Sequence, residues 1–141
     1  MANKLQGKRV AFLATDMVEQ VELTEPWNAV KADGAEPELV SLEEGEIQGF
    51  NHYDKADKFK VDRIVEEARA DDYDALVIPG GVGNPDTLRT DEDAVEFTAQ
   101  VRIAPKVIRI RLMMTPIARS LSPRTEFEPC AWEDSNLRPT A

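Results

Sequence analysis

The chain has 141 residues, 42% hydrophobic and 31% charged, with a formal net charge of -10. That length holds one domain with its own core, and that balance describes a globular chain rather than a disordered one. The acidic charge disfavours nucleic acid and anionic membrane, no apolar run approaches the ~20 residues of a membrane span, and "MANKLQGKRV" lacks a secretory apolar stretch, which leaves a cytoplasmic protein with neither partner.

"KRVAFLAT" (8–15), a short apolar run with a basic lead-in, predicts a strand buried on both faces of a parallel sheet. A helix follows, with Val21, Leu23 or Thr24, Trp27, Val30 and Lys31 recurring at three- to four-residue spacing and Gly34 as its stop. "EPELVSLE" (36–43) predicts a second strand, and "EGEIQGFNHYD" sets two glycines in a turn or hairpin. "FKVDRIVEEARADDYD" predicts a short helix leading into "ALVIPGG" (75–81), the clearest strand of the chain. In "TDEDAVEFTAQV", Thr90 stands three residues before Asp93, the spacing of a capping box, so a helix is expected to begin there. Beyond it, "VRIAPKVIRIRLMM" (101–114) holds one strand-like alternation through Val107, Ile108, Ile110 and Leu112, which could form a sheet edge. The remainder, "TPIARSLSPRTEFEPCAWEDSNLRPTA", has no period and is expected to be irregular or disordered.

Strands alternating with helices predict a doubly wound α/β sheet, in which ligands sit beyond the carboxyl ends of the strands. "TDMVEQ" and "PGGVGN" both fall at that edge. Composition changes near residue 97. Residues 1–97 hold 23 acidic and 10 basic side chains and all seven glycines, whereas 98–141 hold 4 and 7 and five of the nine prolines. Two segments are therefore expected: 1–97, the N-terminal part of an α/β domain, and 98–141, a divergent tail.

Glu19, Glu22 and Glu25 admit two readings. They are favourable acids at a helix N-terminus, or Glu19, leaving a buried strand at the ligand edge, is a carboxyl held to donate a proton. "PGGVGN" (79–84) is a tight strand-to-helix turn, or a place where backbone N–H groups approach an oxyanion or phosphate. It is neither a Walker loop nor a complete G-x-G-x-x-G. His52, with Asp54 and Asp57 close by, is a surface histidine or an acid/base or metal group. As the lone histidine, it rules out a His-rich metal site. Cys130 can form no internal disulfide, which fits a reducing compartment, and nothing in its surroundings suggests an activated thiolate. Trp27 is assigned to the core and Trp132 to the tail.

Residues 8–97, with "E-x-x-E-L" at Glu19 to Leu23, the "EPELVSLE" strand, the glycine hairpin and "DALVIPGG", closely resemble the N-terminal two-thirds of PfpI-type intracellular proteases/amidases. These lie in the superfamily of class I glutamine amidotransferase-like proteins and the parkinsonism-associated deglycase. The resemblance implies a flavodoxin-like sandwich with a mostly parallel sheet, and a nucleophilic cysteine assisted by histidine, an acid and backbone donors. It implies that Glu19 is the acid partner of that cysteine and Gly81 an oxyanion-hole donor. It further implies peptidase, deglycase or glyoxalase-type activity on small carbonyl or peptide substrates, a homo-oligomer, and no cofactor or metal.

The chain departs from that pattern where the family carries its Cys-His pair. After Phe97 it reads "TAQVRIAPKVIRIRLMM"; Cys130 is followed by Ala131, and no histidine follows His52. The expectation is a hydrolase lineage with no nucleophile and a sheet incomplete at its C-terminus, with residues 98–141 arising from a frameshift or fusion. The alternatives are a non-catalytic α/β module binding a small molecule or partner, and a truncated, unstable product.

Overall fold

The computed structural model describes residues 4–103. Four parallel strands form the central sheet: β1 (Arg9–Leu13), β3 (Glu36–Ser41), β6 (Arg63–Ile64) and β7 (Ala75–Val77), in the order β6-β3-β1-β7. β1 lies between two neighbours, with Phe12 opposite both Leu39 and Val77. Its side chains alternate between faces. Val10 and Phe12 join a core under helix α1 (Gln20–Ala32), while Ala11 and Leu13 join one under helix α3 (Glu92–Ile103), which follows the short helix α2 (Asn84–Leu88). Coverage of both faces explains the unbroken apolar run of this strand. The α/β, flavodoxin-like architecture expected from the sequence is the one observed.

A second, three-stranded sheet stands beside the first, in the order β2-β4-β5: β2 (Val18–Glu19), β4 (Glu46–Asn51) and β5 (Asp54–Lys60). β4 and β5 form the antiparallel hairpin, and Gly45 (φ 107°) sits in the turn ahead of β4. Gly49 is inside β4 rather than in a turn. A Cβ there would lie 2.8 Å from the Phe59 ring, so the close strand approach requires glycine.

Two local expectations are corrected. No α-helix forms over 59–74: that stretch ends β5, contributes β6, and then makes two 3-10 turns, Val65–Glu67 and Ala70–Asp72. Backbone bonds draw it into the sheets, from Val61 N–H to the Gly45 carbonyl (2.8 Å) and from Asp62 N–H to the Leu39 carbonyl (2.9 Å). The two turns then bury Val65 and Ala70 against the α3 core. The cap of α3 is Asp91, whose Oδ1 accepts the Ala94 N–H at 2.8 Å, while the Thr90 hydroxyl donates to the Thr87 carbonyl instead. α3 continues through Phe97 to Ile103, with Phe97 and Val101 both buried. The alternation at 107–112, Cys130 and Trp132 lie outside the described residues. Among the described residues no helix is long and apolar enough to cross a membrane.

Candidate functional site

Past Leu13 the chain crosses the carboxyl end of the sheet and is tied down on both sides. Ala14 N–H donates to the Val40 carbonyl (3.0 Å), Met17 N–H to the Gln48 carbonyl (3.1 Å), and the Asp16 carboxylate accepts the Gln48 N–H (2.8 Å). Met17 adopts φ 64°, a left-handed conformation uncommon for a side chain of its size, and this reverses the chain into β2. The turn delivers Glu19 and then the first turn of α1 to the loop that follows β7.

Two hydrogen bonds join the segments. The Glu19 N–H donates to the Gly80 carbonyl at 3.0 Å, and the Gly80 N–H donates to Glu22 Oε2 at 2.7 Å. The expectation that "TDMVEQ" and "PGGVGN" meet at one edge is thus met in atomic contact. Gly81 has φ 132°, and a Cβ there would lie 2.7 Å from the Glu19 nitrogen and against the Met17 carbonyl, so only glycine fits. At Gly80 a Cβ would strike the Glu22 carboxylate. Among the described residues no acceptor takes the Gly81 N–H.

The three glutamates of the first helical turns have separate fates. Glu19 occupies the N-cap position of α1, yet its side chain caps nothing; its Oε2 accepts the His52 N–H, at the tip of the β4-β5 hairpin, at 3.0 Å. Glu22 serves the glycine loop. Glu25 is exposed. His52 is also exposed and takes φ 58°, the conformation that closes the hairpin. Gln20 ties the same hairpin from α1, accepting the Asp57 N–H at 2.8 Å and donating to its carboxylate at 3.0 Å. Asp57 is thereby engaged in a structural contact. Among the described residues no three His, Cys, Asp or Glu side chains are grouped to hold a metal ion.

One residue of this site was not singled out from the sequence. Asn84 is fully buried; its Oδ1 accepts the Thr15 N–H and its Nδ2 donates to the Pro79 carbonyl, both at 2.7 Å. It staples the loop after β1 to the loop after β7, which fixes the spacing between the Glu19–Glu22 segment and the glycines. Its signal was faint, since an asparagine ending a glycine-rich loop reads as turn chemistry.

The perturbed titratable groups lie elsewhere, on the α3 face of the sheet. Glu38 accepts hydrogen bonds from Arg9 Nη2 (2.6 Å) and Arg63 Nε (2.8 Å). Burial alone would raise its carboxyl, but the Arg63 hydrogen bond and charge, aided by Tyr73 and Arg9, outweigh burial and hold it below the ordinary value. The same bond raises the Arg63 guanidinium. Burial, then the charge of Glu38, push the Tyr73 phenol up to about 12. Among the described residues the Tyr73 hydroxyl is buried without a hydrogen bond of normal length, and its ring lies under the Arg9 guanidinium (5.2 Å) and edge-on to Phe97 (5.7 Å). This knot joins β1, β3, β6 and α3.

Compared with known proteins, residues 8–108 match the DJ-1/PfpI family. Deglycase PfpI of Pyrococcus furiosus is 37% identical over 93 residues, which are 66% of this chain and 53% of that protein. General stress protein 18 of Bacillus subtilis is 37% identical over 93 residues, 65% of this chain and 52% of that protein. The chain thus spans about half the length of the curated relatives it matches. Among solved structures, a two-domain protein of Anabaena variabilis with DJ-1/ThiJ/PfpI-like and ferritin-like domains superposes with a TM-score of 0.60 at 30% identity, covering 67% of this chain and 26% of that one.

Proposed function

The chain belongs to the DJ-1/PfpI family, and from that premise we propose that it retains a carboxylate-and-glycine cradle of this family but lacks the thiol that would make it a cysteine-dependent hydrolase. The observation that carries the reading is the 2.7 Å contact between Glu22 and the Gly80 N–H, beside the Gly81 N–H, which no acceptor takes among the described residues. A donor free at a fixed position suits an oxyanion or carbonyl oxygen. On this reading Gly81 is the oxyanion donor, Glu19 is the acid partner of the missing cysteine, and Glu22 is the carboxylate that holds the glycine loop. Small carbonyl compounds and peptides are the substrate class proposed, the cytoplasm the compartment, and a homo-oligomer the assembly.

Nucleophilic catalysis needs an activated thiolate within reach of its base. In this sequence the segment after α3 offers no histidine, and its one cysteine, Cys130, is followed by alanine. The expected outcome is no turnover of methylglyoxal or of aminopeptidase substrates by purified protein. Turnover that disappears in Glu22→Ala or Glu19→Ala would overturn the inactive reading.

A second reading, a non-catalytic module that binds small molecules at the same cradle, is favoured by the survival of that unpaired donor. Thermal stabilisation by a small carbonyl or thiol compound supports it, and no shift with any such compound argues against it.

For residues 98–141 we propose a frameshift or fusion origin, motivated by the coincident change in charge, glycine and proline content. Re-sequencing the locus tests this. Another reading frame should restore a Cys-His-containing segment just after Phe97, and its absence would refute the idea.

A further inference from the structure

A cavity of about 330 Å³ opens between α1, β3 and the end of β5, on the hairpin side of the fold. Its walls are Leu23, Trp27, Leu39 and Phe59. Trp27 packs against Phe12 of the core, ring centroids 5.0 Å apart and tilted by 55°, which joins this wall of the cavity to the sheet. The rim is polar and carries both signs of charge: Thr24, Asn28, Lys60 and Asp62. The volume is at the small end of the ligand-site range of roughly 300–1,000 Å³, and an apolar interior with a few convergent polar groups is the usual build of such a site.

The charges at the rim are not used up by the fold. Lys60 makes no ion pair among the described residues; Glu46, directly across the hairpin from it, pairs with Lys58 at 3.8 Å. Asp62 commits one carboxylate oxygen, Oδ2, to the Leu39 N–H at 2.8 Å, which anchors the side chain beside the cavity. The Thr24 hydroxyl donates back to the Gln20 carbonyl (3.0 Å), as helix threonines do, and keeps its oxygen lone pairs for an acceptor role.

We propose that this cavity binds a free amino acid with a bulky apolar side chain. The side chain occupies the space between Trp27, Phe59, Leu23 and Leu39, the ligand carboxylate meets Lys60, and its ammonium meets Asp62. A zwitterion satisfies both rim charges at once, whereas a simple carboxylate or amine leaves one of them facing its own sign or nothing. The site is separate from the Glu22–Gly80–Gly81 cradle and does not depend on the reading given to it.

Equilibrium dialysis of the full chain against L-phenylalanine, 3-phenylpropionate and phenethylamine tests the proposal. L-phenylalanine should bind saturably, at least tenfold tighter than either compound lacking one charge. Lys60→Ala should weaken L-phenylalanine about tenfold and leave phenethylamine unchanged. Asp62→Asn, which keeps an oxygen for the Leu39 N–H, should weaken L-phenylalanine likewise and leave 3-phenylpropionate unchanged. A circular dichroism melt of each variant confirms that it folds. No saturable binding at millimolar L-phenylalanine, equal binding of all three compounds, or variants that bind as the parent does would each overturn the proposal. So would self-association that occludes Trp27 and is abolished by neither variant.

Discussion

The Glu22 carboxylate accepts the Gly80 N–H at 2.7 Å across 58 residues of sequence, and so links the first turn of α1 to the loop after β7. A charge-assisted bond of this kind is stronger than a neutral one, but Glu22 is only half-buried, and water screens part of it. Glu22→Ala should cost about 1 kcal/mol in urea unfolding, and Glu22→Gln, which keeps an acceptor oxygen, should cost clearly less. An equal loss in both variants would show that charge rather than the hydrogen bond matters.

The Glu19 side chain holds the hairpin tip through the His52 N–H. Removing that acceptor should speed exchange of the His52 amide about fivefold, the equivalent of about 1 kcal/mol, in Glu19→Ala. Glu19→Gln should exchange like the parent. NMR-detected hydrogen exchange reads both, and an unchanged rate in the alanine variant would contradict the clamp.

Gly81 and Gly83 face the same Met17 residue with opposite consequences. A methyl at Gly81 meets the Met17 and Glu19 backbone at a φ that side chains resist, whereas at Gly83 it meets the flexible Met17 side chain, with Sδ at 2.8 Å. Gly81→Ala should therefore destabilise the protein by about 3 kcal/mol, combining backbone strain with overpacking. Gly83→Ala should cost less than half of that. Chemical denaturation of the two variants side by side decides it.

Asn84 satisfies one backbone donor and one backbone acceptor with no access to water. Asn84→Ala strands both and leaves a void, for a loss of about 3 kcal/mol. Asn84→Asp keeps the acceptor for Thr15 but faces the Pro79 carbonyl with a buried carboxylate, and should be no better than alanine. Calorimetric unfolding at neutral pH measures the pair.

The Glu38 knot sets the pH limits. Its folded-state carboxyl titrates below the ordinary 4.5, so its contribution is present above that value and is lost as pH falls through the lower, folded one. Tyr73 is displaced the other way: its stabilising contribution is full below 10.0 and is lost as pH rises toward about 12. Glu38→Gln should flatten the acid limb of a stability-pH profile and weaken the fold at neutrality. Tyr73→Phe should remove the alkaline loss and cost less at pH 7 than Glu38→Gln, because the buried hydroxyl makes no normal hydrogen bond among the described residues. A Tyr73→Phe profile that still falls between 10 and 12 would assign the alkaline limb to another group.

Much of this molecule was legible in residue order because its signals are local. The unbroken apolar run Val10 to Leu13 carried a strand buried on both faces, the spacing of Leu23, Trp27 and Val30 carried α1, and the strand-loop pattern carried the architecture. The stretch 59–74 suggests a short helix in sequence, but its fate rests on distant partners, Gly45 and Leu39, that capture its backbone. Thr90 offered a capping box, and its neighbour Asp91 took the cap, a choice made by one residue of phase.

The site divides in the same way. Sequence alone determined that acids and glycines gather at the carboxyl edge of a parallel sheet, and that no Cys-His pair follows α3 in this chain. Only the tertiary structure decided which glutamate does what, because Glu19 and Glu22 are chemically identical and three residues apart. Their partners are set by where β4 and β7 end in space. The helix turns one carboxylate toward Gly80 and leaves the other to His52, a distinction carried by direction, which composition and spacing do not encode.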